Sequence, residues 1–282
     1  MIVDTHVHCW DLKKAEYTWL QGDTSVLNQT WKLEQLEDER KKAGVTKGVL
    51  VQAAGNMEDT RLMFEIAART DWIEGIVAWL PLLNPDRSRQ LLDEKFLAAK
   101  YFKGVRHQIH DEPDPGWLLQ PAVIDSLKLL AAHDIPYDVV GVLPAHLITV
   151  LEVAEKVPGL RMVLDHLNQP PIAKKERFGE WGRLMIEAAK HKNIFAKISG
   201  LRTASGDFVN RKAEDIKPCI EFSLEHFGID RCFCGGDWPV SELAGSYSST
   251  WEIYKTILSE LLNKEGQEKV FYHNAVRFYN LM

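Results

Sequence analysis

The chain has 282 residues, 45% of them hydrophobic, with a formal net charge of −6 spread over 34 basic and 40 acidic residues. This is enough apolar material for one large core or two ordinary domains, and the lack of any basic run or stripe argues against nucleic acid and anionic membrane as partners, leaving a small molecule. No apolar stretch approaches a membrane span and no basic region with an apolar leader core opens the chain, so a cytoplasmic protein is the expectation.

Residues 1–8 read as a short buried strand. Side chains alternate along a strand, so His6 and His8 share one face with Asp4 behind them on the same parity. Paired imidazoles on a buried strand are costly without a partner. They can grip one divalent cation or bracket one substrate oxygen. The polar loop 11–30 carries Tyr17 and Trp19, which can stack on a sugar-like ring or pack a lid. Helical spacing follows over 33–43, closed by Gly44. Strand 48–52 ends on Gln52, helix 59–70 follows, and strand 75–80 ends near Trp79 at Pro81. After helix 86–99, strand 102–107 ends on Arg106 and His107. Loop 108–117 is rich in Pro, Asp and Gly, which is turn chemistry. Helix 121–133 opens on Pro121. Strand 135–140 carries Asp138, helix 144–156 follows, and strand 160–166 ends on Asp165 and His166. Helix 181–190 leads to strand 194–199 with Lys197 and Ser199. Helix 213–227 leads to strand 231–236, which runs into Asp237-Trp238-Pro239. Helix 248–263 and a helical pair over 265–282, broken near His273-Asn274, complete the chain.

The strands are short continuous apolar runs alternating with helices, the pattern of a parallel sheet covered on both faces. Eight such units in a chain of this length predict a (β/α)8 TIM barrel, α/β in class, as a single domain over 1–282 with additional C-terminal helices. An open doubly wound sheet is the alternative, weakened because no G-x-G-x-x-G follows the first strand. In a barrel the active site lies at the C-terminal strand ends. Four of the ten histidines, His6, His8, His107 and His166, fall on that rim. Two glycines before Asp237 let the backbone turn and bring its carboxylate to the mouth, where Trp238 would wall it in. Cys9, Cys219, Cys232 and Cys234 form no C-x-x-C pair and read as small buried hydrophobes.

Several of these stretches together resemble a family. D-T-H-V-H-x-W-D on strand one, V-Q-A on strand two, G-V-R-H with D-E-P-D-P on strand four, V-L-D-H-L on strand six, K-I-S-G-L on strand seven, G-G-D-W-P-V on strand eight and N-A-x-R-F-Y near the end look like the amidohydrolase superfamily. More narrowly they look like the amidohydrolase-2 branch that holds sugar lactonases and dicarboxylate lactonases. The resemblance covers nearly the whole chain. It implies that His6 and His8 bind metal or substrate, that Asp237 activates the attacking water, and that His166 polarises the carbonyl or relays the proton. Arg106 and His107 match a strand-four pair that contacts substrate. Gln52, Tyr17, Trp19 and Trp238 are the further substrate-binding candidates. Common two-metal sites of the superfamily also use a Lys or Glu on strand four and a His on strand five. Arg106-His107 and Asp138 stand there instead, so at most one divalent ion is expected on His6, His8 and Asp237. Zinc is the first candidate, and some members of the branch do without metal. In the first loop Ala15 and Glu16 stand where related lactonases carry a basic residue.

The expected reaction is opening of a sugar aldonolactone or a related carboxylated lactone by water, with Asp237 as base. No G-x-S-x-G nucleophile elbow is present. The alternatives are a metal-dependent, non-oxidative decarboxylase of an aromatic acid and a barrel that binds a sugar acid without turnover. A homo-oligomer stays open, because symmetric interfaces leave no mark in one sequence.

Overall fold

The computed structural model describes residues 1–172, 178–204 and 212–282. Eight strands form in chain order: β1 (Val3–Val7), β2 (Lys47–Val51), β3 (Ile73–Ala78), β4 (Phe102–His107), β5 (Tyr137–Val139), β6 (Met162–Leu164), β7 (Ile194–Ile198) and β8 (Cys232–Cys234). Each pairs in parallel with the next, in the order β1 to β8. The two outer strands meet through a parallel bridge between Val7 and Trp238. His8 N donates to Trp238 O at 2.7 Å and Asp237 N to His6 O at 2.8 Å across this seam. The result is the nearly closed barrel that the alternation predicts.

The helices of the eight units are α1 (Glu37–Ala43), α2 (Met57–Ala67), α3 (Pro85–Leu91), α4 (Pro121–Ala132), α5 (Pro144–Lys156), α6 (Gly179–Lys190), α7 (Ala213–Phe227) and α8 (Tyr247–Leu261). Proline occupies the first turn of α3, α4 and α5, where its missing N–H costs nothing. Asn56 caps α2 by accepting the Asp59 N–H. Gly44 closes α1 in the left-handed region at φ +69°. None of the described helices is long and apolar enough to cross a membrane. All four cysteines are buried.

Three differences from the expected elements have physical reasons. The C-terminal segment is not broken at His273-Asn274. It runs from α9 (Lys264–Glu268) through a π-helical turn (Lys269–His273) into α10 (Asn274–Tyr279), and the residues at both junctions stay right-handed helical. Strands five and eight are shorter than their apolar runs, because the sequence pattern marks burial and not pairing. Strand six stops at Leu164: His166, Leu167, Asn168 and Gln169 take φ of +54°, +51°, +51° and +54°, a left-handed turn of four non-glycine residues. Leu167 and Gln169 each cost roughly 1–2 kcal/mol there, so the surroundings must impose the turn.

One apolar cluster lies between strands and helices. A second joins Val3, Val49, Val77, Val163 and Phe233 to Phe278, Tyr279 and Leu281 of the C-terminal segment. That segment is clamped from three sides. Lys103 Nζ donates to Asn280 O at 3.0 Å, Lys47 Nζ to Met282 O, and an Arg161 Nη1 to Phe278 O. So held, α10 carries the Tyr279 hydroxyl to within 2.6 Å of Asp138 Oδ2 on β5.

Candidate active site

β1 carries His6, and His8 follows just past its end. Their Nε2 atoms lie 3.1 Å apart. His8 Nδ1 stands 2.8 Å from Val51 O, so it must donate, which leaves Nε2 as the ring atom turned toward His6 and Asp237. His6 Nδ1 lies 3.5 Å from Asp165 Oδ1. From β8, Asp237 places Oδ1 at 3.7 Å from His6 Nε2 and 3.6 Å from His8 Nε2. Among the described residues this is the one cluster of three such groups able to hold an ion. Bonds of about 2.0–2.1 Å to a tetrahedral zinc separate two ligand atoms by about 3.3–3.4 Å, so the spacing of these three atoms suits a zinc-sized ion. Asp4, which shares the parity of the pair, is not part of this group. It accepts from His6 N, Gly236 N and Tyr247 Oη instead.

Asp237 is buried and has φ +57°. Burial pushes its carboxyl pKa up, but the imidazoles of His166, His8 and His6 outweigh that and hold it at about 2. It is therefore a carboxylate at any working pH. Burial lowers the pKa of His166, and that of His6 well below the ordinary value, so both rings are neutral near pH 7.

His166 lies at the start of the left-handed turn. Its backbone N–H meets Ser199 Oγ at 3.2 Å, and its Nδ1 meets the same oxygen at 2.9 Å. Trp181 Nε1 donates to Leu167 O at 2.8 Å and fixes the far side of the turn. Gly200, at φ +58°, passes so close that a Cβ there would collide with His166 Nδ1 and Asp237 Oδ2. Gly200→Ala is therefore expected to push both side chains off their positions and to reduce turnover by about 10²-fold, the effect of an ångström-scale displacement. Steady-state kinetics on a variant with native circular dichroism checks this.

Arg106, on β4, is 4% exposed. Nη2 donates to Gln52 O, and Nη1 lies 3.3 Å from both Asp165 Oδ2 and His6 Nε2. Its Nε is buried with no partner, a donor left for something else to satisfy.

His8, Arg106, His166 and Asp237 open into one cavity of about 320 Å³ at the C-terminal ends of the strands. Trp10, Trp19, Leu27, Val240 and Leu243 form an apolar wall, and Gln108, His110, Gln169 and Thr203 add polar groups. Of the further residues singled out in the sequence, Trp19 lines the cavity and donates Nε1 to Ala53 O at 2.8 Å. The remaining four are off its wall. Tyr17 is buried and donates its hydroxyl to Asp59 Oδ1 at 2.9 Å, while Asp59 Oδ2 accepts from Ala53 N at 2.8 Å. This ties loop 11–30 to the loop after β2. His107 is stacked on Trp117 at 4.0 Å, accepts from Trp79 Nε1 and donates to Glu112 Oε1 at 2.7 Å. It braces loop 108–117. Gln52 is buried behind Arg106, and Trp238 packs edge-on against Trp31.

Sequence reading passed over Gln108 and His110, which loop 108–117 delivers to the cavity. His110 Nδ1 is buried without a partner, and burial lowers the pKa of this histidine to about 4. Its position in a turn-rich loop carried no periodic signal. The turn chemistry around it did mark a loop at a strand end, where barrel sites are built.

A family model described as amidohydrolase matches residues 3–281. An L-fucono-1,5-lactonase of Burkholderia ambifaria is 30% identical over 282 residues, spanning 99% of this chain and 95% of that protein. An L-fucono-1,5-lactonase of Burkholderia multivorans is 26% identical over 287 residues, spanning 99% and 96%. The crystal structure of an amidohydrolase from Burkholderia multivorans with zinc bound superposes with a TM-score of 0.92 at 26% identity, over the whole of both chains. With the family model spanning nearly its whole length, and the barrel and its rim of histidines and aspartate in place, the chain belongs to the amidohydrolase family.

Proposed function

We propose that this protein hydrolyses a small sugar lactone, with Asp237 as the base that takes the proton of the attacking water. The observation that carries the reading is the convergence of Asp237, His166 and Arg106 on one cavity beside the His6–His8 pair. Two relatives spanning 95% or more of their own length are L-fucono-1,5-lactonases, which supports a cyclic ester of a sugar acid as substrate. The cavity favours a neutral lactone over a carboxylated one. Arg106 is the one permanent cation on its wall among the described residues, and Asp165 already faces it.

His6, His8 and Asp237 would hold the divalent ion, most simply zinc, which when bound supplies a Lewis acid for water or carbonyl oxygen. The chain's own groups account for the proton transfers. Asp237, fully ionised, accepts the water proton. Arg106 presents its guanidinium to the carbonyl oxygen as charge builds there, with the unpartnered Nε–H as the donor in reserve. Ser199, by accepting the His166 N–H, keeps its own hydroxyl hydrogen for Nδ1. His166 then holds an Nε2–H that hydrogen-bonds the leaving oxygen, while the proton that Asp237 took from water passes to the alkoxide as the ring opens. The apolar wall of Trp10, Trp19 and Leu27 keeps bulk water from the reacting ester.

The test is acid release, followed with a pH indicator, from neutral aldonolactones and from carboxylated lactones, with and without a chelator. Release from neutral aldonolactones, slower or absent with carboxylated ones, is the expected result. Acid release from no lactone, with zinc or manganese restored, overturns the reading.

A further inference from the structure

Beneath the cavity floor lies a charged chain that the reaction above does not use. Lys197 Nζ, wholly buried, sits 2.6 Å from Asp138 Oδ2, 2.7 Å from Asp165 Oδ1, and 3.4 Å from both His6 Nδ1 and Thr5 O. Asp165 turns its oxygens to two partners of the site: Oδ1 lies 3.5 Å from His6 Nδ1 and Oδ2 3.3 Å from Arg106 Nη1. The Tyr279 hydroxyl donates to the same Oδ2 of Asp138 at 2.6 Å. Two carboxylates and two cations are thus locked inside a barrel, where branched aliphatic side chains are the rule. Buried ion groups of this kind commonly stabilise less than apolar packing of the same volume, so stability alone does not account for them.

We propose that Lys197 is a positioning residue: anchored by Asp138 and Tyr279, it fixes Asp165 so that one carboxylate orients both the His6 imidazole and the Arg106 guanidinium. Lys197 acts through Asp165 and touches neither cavity nor substrate. Its removal frees Asp165 to rotate, and His6 then loses the neighbour that aims its Nε2. The inference rests on His6 being a metal ligand, as read above.

The experiment measures zinc affinity by chelator competition, with zinc alone and no substrate, on the native chain, on His8→Ala and on Lys197→Met combined with Asp138→Asn. The double variant removes one buried charge of each sign and leaves Asp165 balanced by Arg106. Native zinc binding that His8→Ala abolishes, and that the double variant weakens by about 10–100-fold, is the expected result, the usual cost of losing an outer-sphere partner. A native chain that binds no zinc, or binds it equally after His8→Ala, overturns the metal reading and this inference together. A folded double variant with native zinc affinity overturns the inference alone, since a role in packing lowers only the melting temperature. If the double variant does not fold, Tyr279→Phe decides. It removes one hydroxyl, and a threefold or greater loss of zinc affinity supports the proposal while native affinity overturns it.

Discussion

Asp237→Asn is expected to lower kcat by about 10²–10⁴-fold, the range for removing a general base, while the protein keeps its fold. The substitution preserves shape. Asparagine tolerates the positive φ that this position requires, so the turn after β8 and its bond from Asp237 N to His6 O survive. What disappears is the negative charge 3.6–3.7 Å from the two Nε2 atoms and, with it, the carboxylate proposed to take the water proton. Because surrounding imidazoles hold Asp237 at about 2, its ionisation leaves no mark on rates above about pH 4. A fall in native activity between pH 5 and 7 therefore belongs to other groups. Kinetics of native and variant protein across pH 5–9 test both statements. A variant retaining a tenth or more of native kcat removes Asp237 from the role of base.

Arg106→Lys is expected to cost about 10²–10³-fold in kcat at unchanged charge. The planar guanidinium reaches Gln52 O through Nη2, Asp165 Oδ2 and His6 Nε2 through Nη1, and leaves Nε free. A lysine ammonium is one point of charge on a flexible stem and cannot serve these directions at once. Charge balance with Asp165 is kept, so stability changes little. That separates this variant from a neutral one, in which Asp165 would keep only Lys197 and His6. If the guanidinium stabilises the oxyanion, the loss appears in kcat at full saturation. A rise in KM with kcat intact would instead mean that Arg106 binds the ground state and transition state alike.

The eight strands, their order and the barrel were legible because a parallel strand buried on both faces is a continuous apolar run, a signal held within five or six consecutive residues. The His6–His8 pair was legible for a similar reason: two residues apart at a strand end, both face the same side, whatever the rest of the chain does. Asp237 was marked by the glycines before it. Local composition also delivered Arg106 and His166 to the correct end of the barrel.

Roles that depend on partners far away in sequence were not legible. His107 and Arg106 are adjacent on β4, yet only Arg106 faces the cavity. His107 turns to Trp79, Glu112 and Trp117, and nothing in its own neighbourhood announces that. Tyr17, expected to meet substrate, is taken up by Asp59, 42 positions away. Asp138 and Lys197, which the sequence places only on predicted strands, lie wholly buried and bonded to each other across 59 positions. The left-handed turn from His166 to Gln169 runs against the intrinsic preference of Leu167 and Gln169 and exists because Ser199, Trp181 and Gly200 surround it. By itself the sequence determined the periodic elements and which stretches of chain reach the mouth of the barrel. Tertiary structure alone decided which of them meet, because a contact between distant residues is a property of how the strands close on one another.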